Sequence, residues 1–318
     1  MYSQPNFSCS LPLEERLNQA QFLIVILSVA STGLFGNILA LYSINRQRAK
    51  STFNQSLTAL AISDILFLSV VIVDSVPNIR TSDMGLAFPF FWHPLRTMLI
   101  SFEAFLMMSI STERFLAVFK PIQYKSYKMS QSPAIHFTIF IVPTVLISFA
   151  INIPKFLEFE AKFQNEAVSA NETIEVLVIE MSSLRLDPDY IFYYTHLARL
   201  ICTGVVPMIF LTATNLAIWR VITQDTKMQS QNSVKVPRKS SFALFSIVIL
   251  FISCNIPRLM LNQAEWKFQA TLYKGDECVT KGELSWLDVL SKCSLICLSF
   301  NSSANFLLYY SIHRLVKN

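Results

Sequence analysis

The stretch LAISDILFL, residues 60–68, places an aspartate, Asp64, in the middle of an apolar run. The run extends over about residues 56–79, a length with which an α-helix crosses a lipid bilayer. A charged side chain at the bilayer centre costs about 2.5–3.5 kcal/mol on insertion scales. Such a residue is typical of the interior of a helix bundle, so this stretch predicts a membrane protein with a functional polar interior.

The composition of the whole chain agrees with this interpretation. Of its 318 residues, 53% are hydrophobic and 15% are charged, and the mean hydropathy is +0.44. A soluble domain averages about 25% charged residues, so a soluble globular enzyme is disfavoured. Seven apolar stretches predict an all-α membrane protein, a seven-transmembrane helix bundle with helices at about 22–45, 56–79, 94–119, 134–153, 191–223, 240–262 and 286–310.

The charged residues of the loops predict the orientation of the bundle. Basic residues follow the first, third and fifth spans, among them Arg46, Lys120 and Arg238. The long segment between the fourth and fifth spans is acidic. Because basic loops stay in the cytoplasm, we expect the N-terminus outside the cell and the C-terminus inside.

This orientation divides the chain into three parts. Residues 1–21 form an extracellular N-terminus, residues 22–312 the membrane domain, and residues 313–318 a short cytoplasmic tail. Two glycosylation sequons, at Asn6 and Asn171, fall on the predicted outer side.

Polar side chains recur at similar depth in four of the predicted helices. They are Asn37, Asp64, Glu103, Asn301, Ser302 and Asn305. Two neighbouring carboxylates are costly to keep charged, so either one holds a proton or a cation lies between them. Hard cations prefer oxygen ligands, which makes Asp64 and Glu103 a candidate Na⁺ site. The alternative, which a single Ser or Asn favours, is plain hydrogen bonding between helices.

Short motifs along the chain resemble those of rhodopsin-like (class A) G-protein-coupled receptors. They follow the family order through six spans: Gly36-Asn37, Leu60 to Asp64, Glu113-Arg114-Phe115, Pro207, Phe251 to Pro257, and Asn301 to Asn305 with Tyr309. The resemblance covers about residues 22–312. It implies a plasma-membrane receptor, not an enzyme, that binds an extracellular ligand and activates a heterotrimeric G protein through Glu113, Arg114 and Tyr309.

Two of these stretches resemble a narrower group. SCNIPR (253–258) and NSSANFLLY (301–309) are similar to the invertebrate neuropeptide receptors of the FMRFamide and myosuppressin type. This resemblance implies an amidated neuropeptide as the ligand.

Six polar residues toward the outer ends of the spans are candidates for ligand contact: Asp74, Arg96, Thr97, Arg258, Asn262 and Lys292. Arg96 lies at the depth where amine receptors of the family have an aspartate, so a biogenic amine is disfavoured. A peptide ending in Arg-Phe-amide fits better, since its guanidinium has Asp74 or the acidic loop as a partner. The alternative is that Asp74 pairs with Arg96 or Arg258 and serves the fold alone.

Three positions depart from the family pattern. Phe306 replaces the proline of the seventh helix, so the usual kink is expected to be weaker. Asn255 replaces the tryptophan of the sixth helix and Asn215 the tyrosine of the fifth. The start of the sixth span is basic, so Glu113 is expected to be the resting partner of Arg114.

The family's disulfide from the third helix to the second outer loop is also missing, since residues 154–190 contain no Cys. Cys9 and Cys278 fall outside the predicted spans, and we expect either a bridge between them or two unpaired thiols. The remaining cysteines are expected to act as small apolar residues.

Two other functional classes stay open: a seven-span transporter or channel, and a class A chemosensory receptor for a small molecule. The chain has 6 Gly and no inverted repeat, which argues against a transporter. The four His are scattered, so no catalytic metal site is expected and no cofactor apart from Na⁺. The net charge of +5 comes mostly from the inner loops, so the expected partners include the lipid bilayer but no nucleic acid.

Overall fold

The computed structural model describes residues 13–46, 52–75, 88–130, 133–169, 172–225, 238–273 and 281–317. Asn6, Cys9, Asn171 and Cys278 lie outside the described residues. The glycosylation sites and the disulfide therefore stay predictions.

Seven helices of 11 to 37 residues run through the described part of the chain, in the order of the apolar spans. A helix satisfies its own backbone hydrogen bonds, as a segment in lipid must. The bounds are α1 Leu13–Asn45, α2 Thr52–Ser75, α3 His93–Phe119, α4 Val142–Asn152, α5 Val206–Asp225, α6 Arg238–Tyr273 and α7 Lys281–Lys317.

Shorter helical segments extend or join these helices. A short helix, Pro133–Phe140, precedes α4, and a 3₁₀ turn, Ile153–Leu157, follows it. Two π-helical segments, Tyr190–Ala198 and Ile201–Val205, precede α5. The others are a π-helical turn Phe88–Trp92 before α3, a helix Pro121–Ser130 after α3, and a single turn Ser183–Leu186.

Five helical stretches among the described residues are long and apolar enough to cross a membrane. They are Ala20–Asn45, Asn54–Ser75, Phe90–Phe119, Ala134–Leu157 and Tyr190–Val221. The helices α6 and α7, with 36 and 37 residues, also exceed the length that a crossing needs.

Between the fourth and fifth spans the chain forms an antiparallel hairpin of β1 Phe159–Ser169 and β2 Glu172–Met181. The acidic composition of this segment predicted a loop instead. The second strand, ETIEVLVIEM, is rich in the β-branched residues that favour strands, a pattern that its glutamates obscure. The end of the bundle at which this hairpin lies is called the hairpin end below.

The hairpin carries an exposed charge network. Lys162 Nζ of β1 lies 2.9 Å from Glu160 Oε1 and 3.1 Å from Glu180 Oε2. Hydrogen bonds to Glu160 and Glu180 raise the pKa of the Lys162 ammonium.

The helix α3 runs through the middle of the bundle and packs against α2, α4 and α5, while α7 packs against α1, α2 and α6. Two buried apolar clusters fill the interior. One includes Leu60, Leu106 and Phe251, and the other includes Phe67 and Leu68. Because Leu60 and Phe67 lie on either side of Asp64 along α2, the polar interior lies between the two clusters.

Two glycines of α1 allow a close approach of α7. A Cβ added to Gly33 would lie 2.0 Å from Ser303 Oγ and 2.8 Å from Ser303 Cα, and one added to Gly36 would lie 2.6 Å from the Phe306 ring. Small residues at such crossings let membrane helices pack closely. Phe306, in place of the family proline, thus covers Gly36, and α7 continues through it as one helix.

Candidate functional site

The polar interior is a group of six buried residues, Asn37, Asp64, Glu103, Asn301, Ser302 and Asn305, called the central polar cluster. Asn305 Nδ2 donates to Asp64 Oδ2 at 3.0 Å and to Glu103 Oε1 at 3.5 Å. Glu103 also accepts from Asn301 Nδ2 at 2.5 Å and from Ser302 Oγ at 3.2 Å. The structure therefore brings together the residues that the sequence placed at one depth.

The central polar cluster has more acceptor oxygens than donors. Among the described residues, Asp64 Oδ1, Asn301 Oδ1 and Asn37 Oδ1 have no hydrogen-bond donor. The Asn37 amide nitrogen is already used, since it donates to Gly33 O at 2.9 Å and Ser302 O at 3.0 Å. Buried oxygens without donors are costly, and a proton or a hard cation would satisfy them.

The donor set of this cluster suits a hard cation. Its free groups are carboxylate and amide oxygens, which Na⁺ and similar ions prefer. Within the ranges that the structure covers, there is no group of three or more His, Cys, Asp and Glu side chains arranged to hold a metal. The composition of the cluster thus does not favour a transition-metal site.

A cavity of about 180 Å³ lies at the hairpin end, and is called the hairpin-end cavity. Four of the six predicted ligand contacts line it: Arg96, Thr97, Arg258 and Asn262. Sequence reasoning missed Arg199 and Glu265, which also line it. Glu265 lies seven residues after Arg258 on α6, and this spacing puts both residues on one face of the helix. That signal could have indicated Glu265 from the sequence.

The charges in this cavity are partly paired. Arg96 NH1 forms an ion pair with Asp74 Oδ2, one of the two pairings of Asp74 expected from the sequence. Arg258 NH2 donates to the Thr203 carbonyl, whereas its Nε has no hydrogen-bond partner among the described residues. Arg258 also lies within electrostatic range of Glu103, which connects the cavity wall with the central polar cluster.

The remaining predicted contacts have partners of their own. Thr97 Oγ1 donates to Pro94 O at 2.8 Å, and Asn262 bonds Thr195 O at 3.0 Å and lies 3.1 Å from His196 Nδ1. Lys292 does not line the cavity. Its Nζ instead donates to Asp288 Oδ2 at 2.5 Å and lies 5.5 Å above the Phe22 ring.

A larger groove of about 410 Å³ lies toward the opposite end of the bundle. It is lined by uncharged residues, and its walls include the exposed apolar side chains of Ile62, Leu66 and Phe137. Exposed apolar side chains on a membrane helix face lipid. The hairpin-end cavity is therefore the better candidate for a polar ligand, although it is smaller.

Two of the three predicted switch residues, Glu113 and Arg114, lie at the far end of α3. Glu113 is buried and accepts a hydrogen bond from Tyr124 OH at 2.7 Å, and its Oε2 lies 3.5 Å from His136 Nε2. Arg114 is half-buried and within electrostatic range of Glu113. Tyr309 lies in α7, and its side chain is outside the described residues.

A second set of buried charges joins the hairpin to the bundle. Glu158, 1% exposed, accepts from Lys155 Nζ at 2.5 Å, Arg185 NH1 at 2.6 Å and Tyr190 OH at 2.9 Å. These residues are called the hairpin ionic cluster. They were missed because Arg185 and Tyr190 lie far from Glu158 in sequence, and only the fold brings them together.

The cysteines of the helices are free. Cys202, Cys254, Cys293 and Cys297 form no disulfide, and Cys254 is buried. They pack as the small apolar residues that the sequence predicted.

The sequence is similar to known receptors over nearly its whole length. The model of a family described as 7 transmembrane receptor (rhodopsin family) matches residues 36–309. An FMRFamide receptor of Drosophila melanogaster is 24% identical over 298 residues, which cover 90% of this chain and 50% of the relative. The chain therefore spans about half the length of that protein.

Two relatives from Caenorhabditis elegans are similar at the same level. The FMRFamide peptide receptor frpr-18 is 22% identical over 310 residues, covering 92% of this chain and 67% of the relative. The probable G-protein coupled receptor frpr-1 is 24% identical over 316 residues, covering 93% of this chain and 77% of the relative.

Proposed function

Because the chain belongs to the rhodopsin family of seven-transmembrane receptors, multi-pass proteins of the plasma membrane, we propose that it binds an amidated neuropeptide and activates a heterotrimeric G protein. Relatives named as FMRFamide receptors support the choice of ligand class. We also propose that it acts without enzymatic activity of its own.

The observation that carries this proposal is the hairpin-end cavity. It collects polar and charged side chains from α3, the fifth span, α6 and α7. The basic loops support our proposal that this end of the bundle faces outside the cell. The two arginines Arg96 and Arg199 disfavour a simple amine. A peptide offers carbonyl acceptors and a cation at different depths, which suits a cavity with groups of both signs.

Transmission of the signal is proposed to run through the central polar cluster. Asp64 and Glu103, with the spare amide oxygens beside them, would hold a Na⁺ ion, which supplies positive charge between two carboxylates. A ligand that prefers one packing of the bundle shifts the population toward it. Loss of the ion would let α2, α3 and α7 close on one another.

The switch for the G protein is proposed to comprise Glu113, Arg114 and Tyr309. Tyr124 and His136 hold the Glu113 carboxylate in the resting packing. Movement of Glu113 away from Arg114 would end their electrostatic attraction and free Arg114 to contact the G protein.

A peptide panel on cells expressing the epitope-tagged chain tests the proposal. We expect peptides ending in Arg-Phe-amide to activate a G-protein reporter, whereas their free-acid forms have lower potency. Silence across the panel with the receptor at the surface would contradict the peptide ligand. Activation by small molecules alone would indicate a chemosensory receptor, and flux without a G protein would indicate a transporter or channel.

A further inference from the structure

Resting on the proposed function, we infer that Arg258 and Glu265 form a two-point site for the peptide's C-terminal Arg-Phe-amide. Glu265 binds the guanidinium of the penultimate arginine. Arg258 Nε donates a hydrogen bond to the carbonyl of the terminal carboxamide. The site thus fixes which end of the peptide enters the hairpin-end cavity and makes Glu265 the residue that selects for arginine.

Glu265 is the carboxylate that the cavity leaves available. Among the described residues that line the cavity it is the one acid, and the residue remains accessible to solvent. The other acid nearby, Asp74, already pairs with Arg96. In the described part of the chain Glu265 makes no hydrogen bond or ion pair at contact distance, although Arg199 and Arg96 act on it at longer range. An incoming guanidinium can therefore form a direct ion pair with this carboxylate.

Arg258 supplies the second point, one step deeper. Its NH2 group is used by the Thr203 carbonyl, and its buried Nε has no acceptor within the residues described. A buried donor without an acceptor favours any ligand that brings one. Because Glu103 already balances part of the Arg258 charge, the neutral carbonyl of a carboxamide is a sufficient partner.

The separation of the two points matches the end of the peptide. Seven residues of α-helix correspond to about 10 Å along the axis and to about two turns, so Arg258 and Glu265 share one face of α6. Two residues of extended peptide cover about 7 Å, and the arginine side chain of the peptide spans the rest of the distance between Arg258 and Glu265.

The charge of Arg258 selects the orientation. A peptide entering in reverse would bring its guanidinium to the Arg258 guanidinium, whereas Arg199 and Arg96 also act on Glu265 and do not distinguish the two orientations. Like charges in a poorly solvated cavity repel each other, so the arrangement discriminates by repulsion as well as by attraction. His93 is the remaining titratable group in this lining and is not required by either contact.

The test compares Phe-Met-Arg-Phe-amide with the same peptide carrying citrulline, a neutral isostere, in place of arginine. We expect the wild-type receptor to prefer the arginine peptide by about 10- to 100-fold in EC50, the range for a charge-assisted hydrogen bond. In Glu265→Gln the preference should vanish, with the citrulline EC50 unchanged. Arg258→Lys, which removes Nε–H, should weaken both peptides by the same factor.

Matched controls keep the test decisive. Glu160→Gln removes an exposed acid of the hairpin outside the cavity and should keep the wild-type preference. If Glu265→Gln reaches the surface poorly, the charges of the pair can be reversed instead. The Glu265→Arg receptor should then be activated by Phe-Met-Glu-Phe-amide, in which a glutamate replaces the arginine of the peptide. A preserved arginine preference in Glu265→Gln would overturn this inference alone. A wild-type receptor at the surface that answers no Arg-Phe-amide would overturn it together with the proposed function.

Discussion

The hairpin ionic cluster and the central polar cluster both bury carboxylates, but they satisfy them differently. Glu158 has two cations, Lys155 and Arg185, and the Tyr190 hydroxyl. Asp64 and Glu103 instead have amide and hydroxyl donors from α7, and among the described residues some of the cluster's oxygens have no donor. In the hairpin ionic cluster both carboxylate oxygens of Glu158 have donors, whereas in the central polar cluster some oxygens have none within the described ranges.

This difference separates a structural role from a functional one. A buried ion pair that has its partners fixes one arrangement, and removing a member leaves a charge without a partner. A cluster with spare acceptors gains free energy from a ligand that brings positive charge, so its stability depends on what is bound. We therefore expect the hairpin ionic cluster to hold the fold and the central polar cluster to respond to ions and signals.

The largest effect is expected for Glu158→Gln. The change removes the negative charge between Lys155 and Arg185, and breaking a buried ion pair in this way costs about 3–5 kcal/mol of the free energy of unfolding. Thermal unfolding of purified receptor in detergent, together with surface expression, measures it. A midpoint equal to that of the wild type would mean that the cluster does not anchor the hairpin.

A smaller loss is expected for Gly33→Ala, which puts a methyl group 2.8 Å from the Ser303 backbone. Overpacking of this kind costs about 1–3 kcal/mol of the free energy of unfolding. Gly36→Ala is the matched variant, because the nearest atoms to its methyl group belong to the Phe306 ring and not to backbone.

The Phe306 ring can turn or be removed, so Gly36→Ala should cost less than Gly33→Ala. The double variant Gly36→Ala with Phe306→Ala should recover part of the loss, as measured by the same unfolding assay. Equal costs for both glycines would contradict the close approach of α1 and α7 at Gly33.

The sodium dependence of stability tests the spare oxygens of the central polar cluster. A cation at about ten times its Kd stabilises the folded receptor by about 1.4 kcal/mol. We expect the unfolding midpoint of the wild type to be higher in NaCl than in choline chloride at equal ionic strength. Glu103→Gln should remove that difference, while a difference retained in Glu103→Gln would exclude Glu103 from the site.

The smallest effect is expected for Lys162→Gln in the exposed network of the hairpin. The raised pKa of Lys162 means that its contribution is complete below the unfolded pKa and is lost only as the pH rises through the folded pKa. Between about pH 6 and about pH 8 this contribution is therefore fully present in the wild type and absent from the variant. Because the network is exposed, the contribution is small, so the unfolding midpoint of the variant should stay close to that of the wild type throughout this range. A large drop in this range would mean that the exposed network is more than a solvated surface feature.

The sequence predicted those parts of the molecule that follow from local pattern. Apolar length predicted the helices, and the polar residues at one depth, Asp64, Glu103 and Asn305, do meet in the bundle. Contacts that depend on how distant segments pack were missed. Glu158 with Arg185 and Tyr190, and Glu113 with His136, have no signature in the spacing of the chain.

The hairpin was missed for another physical reason. Its glutamates suggest a solvated loop, but strand formation depends on the β-branched residues between them and on pairing across the turn. Likewise, the sequence indicated only that Phe306 removes the proline that usually kinks the seventh helix. The structure adds that its ring fills the space that Gly36 leaves between α1 and α7.

The most direct test of the central claim is the variant Asp64→Asn, measured side by side for agonist binding and for G-protein nucleotide exchange. Asparagine keeps the size of the side chain and its position next to Asn305 but removes the charge that the cluster needs. We predict agonist affinity within about threefold of the wild type, a change of about 0.7 kcal/mol, and at least a tenfold loss of nucleotide exchange. Lost binding with exchange intact at saturating agonist would contradict the account.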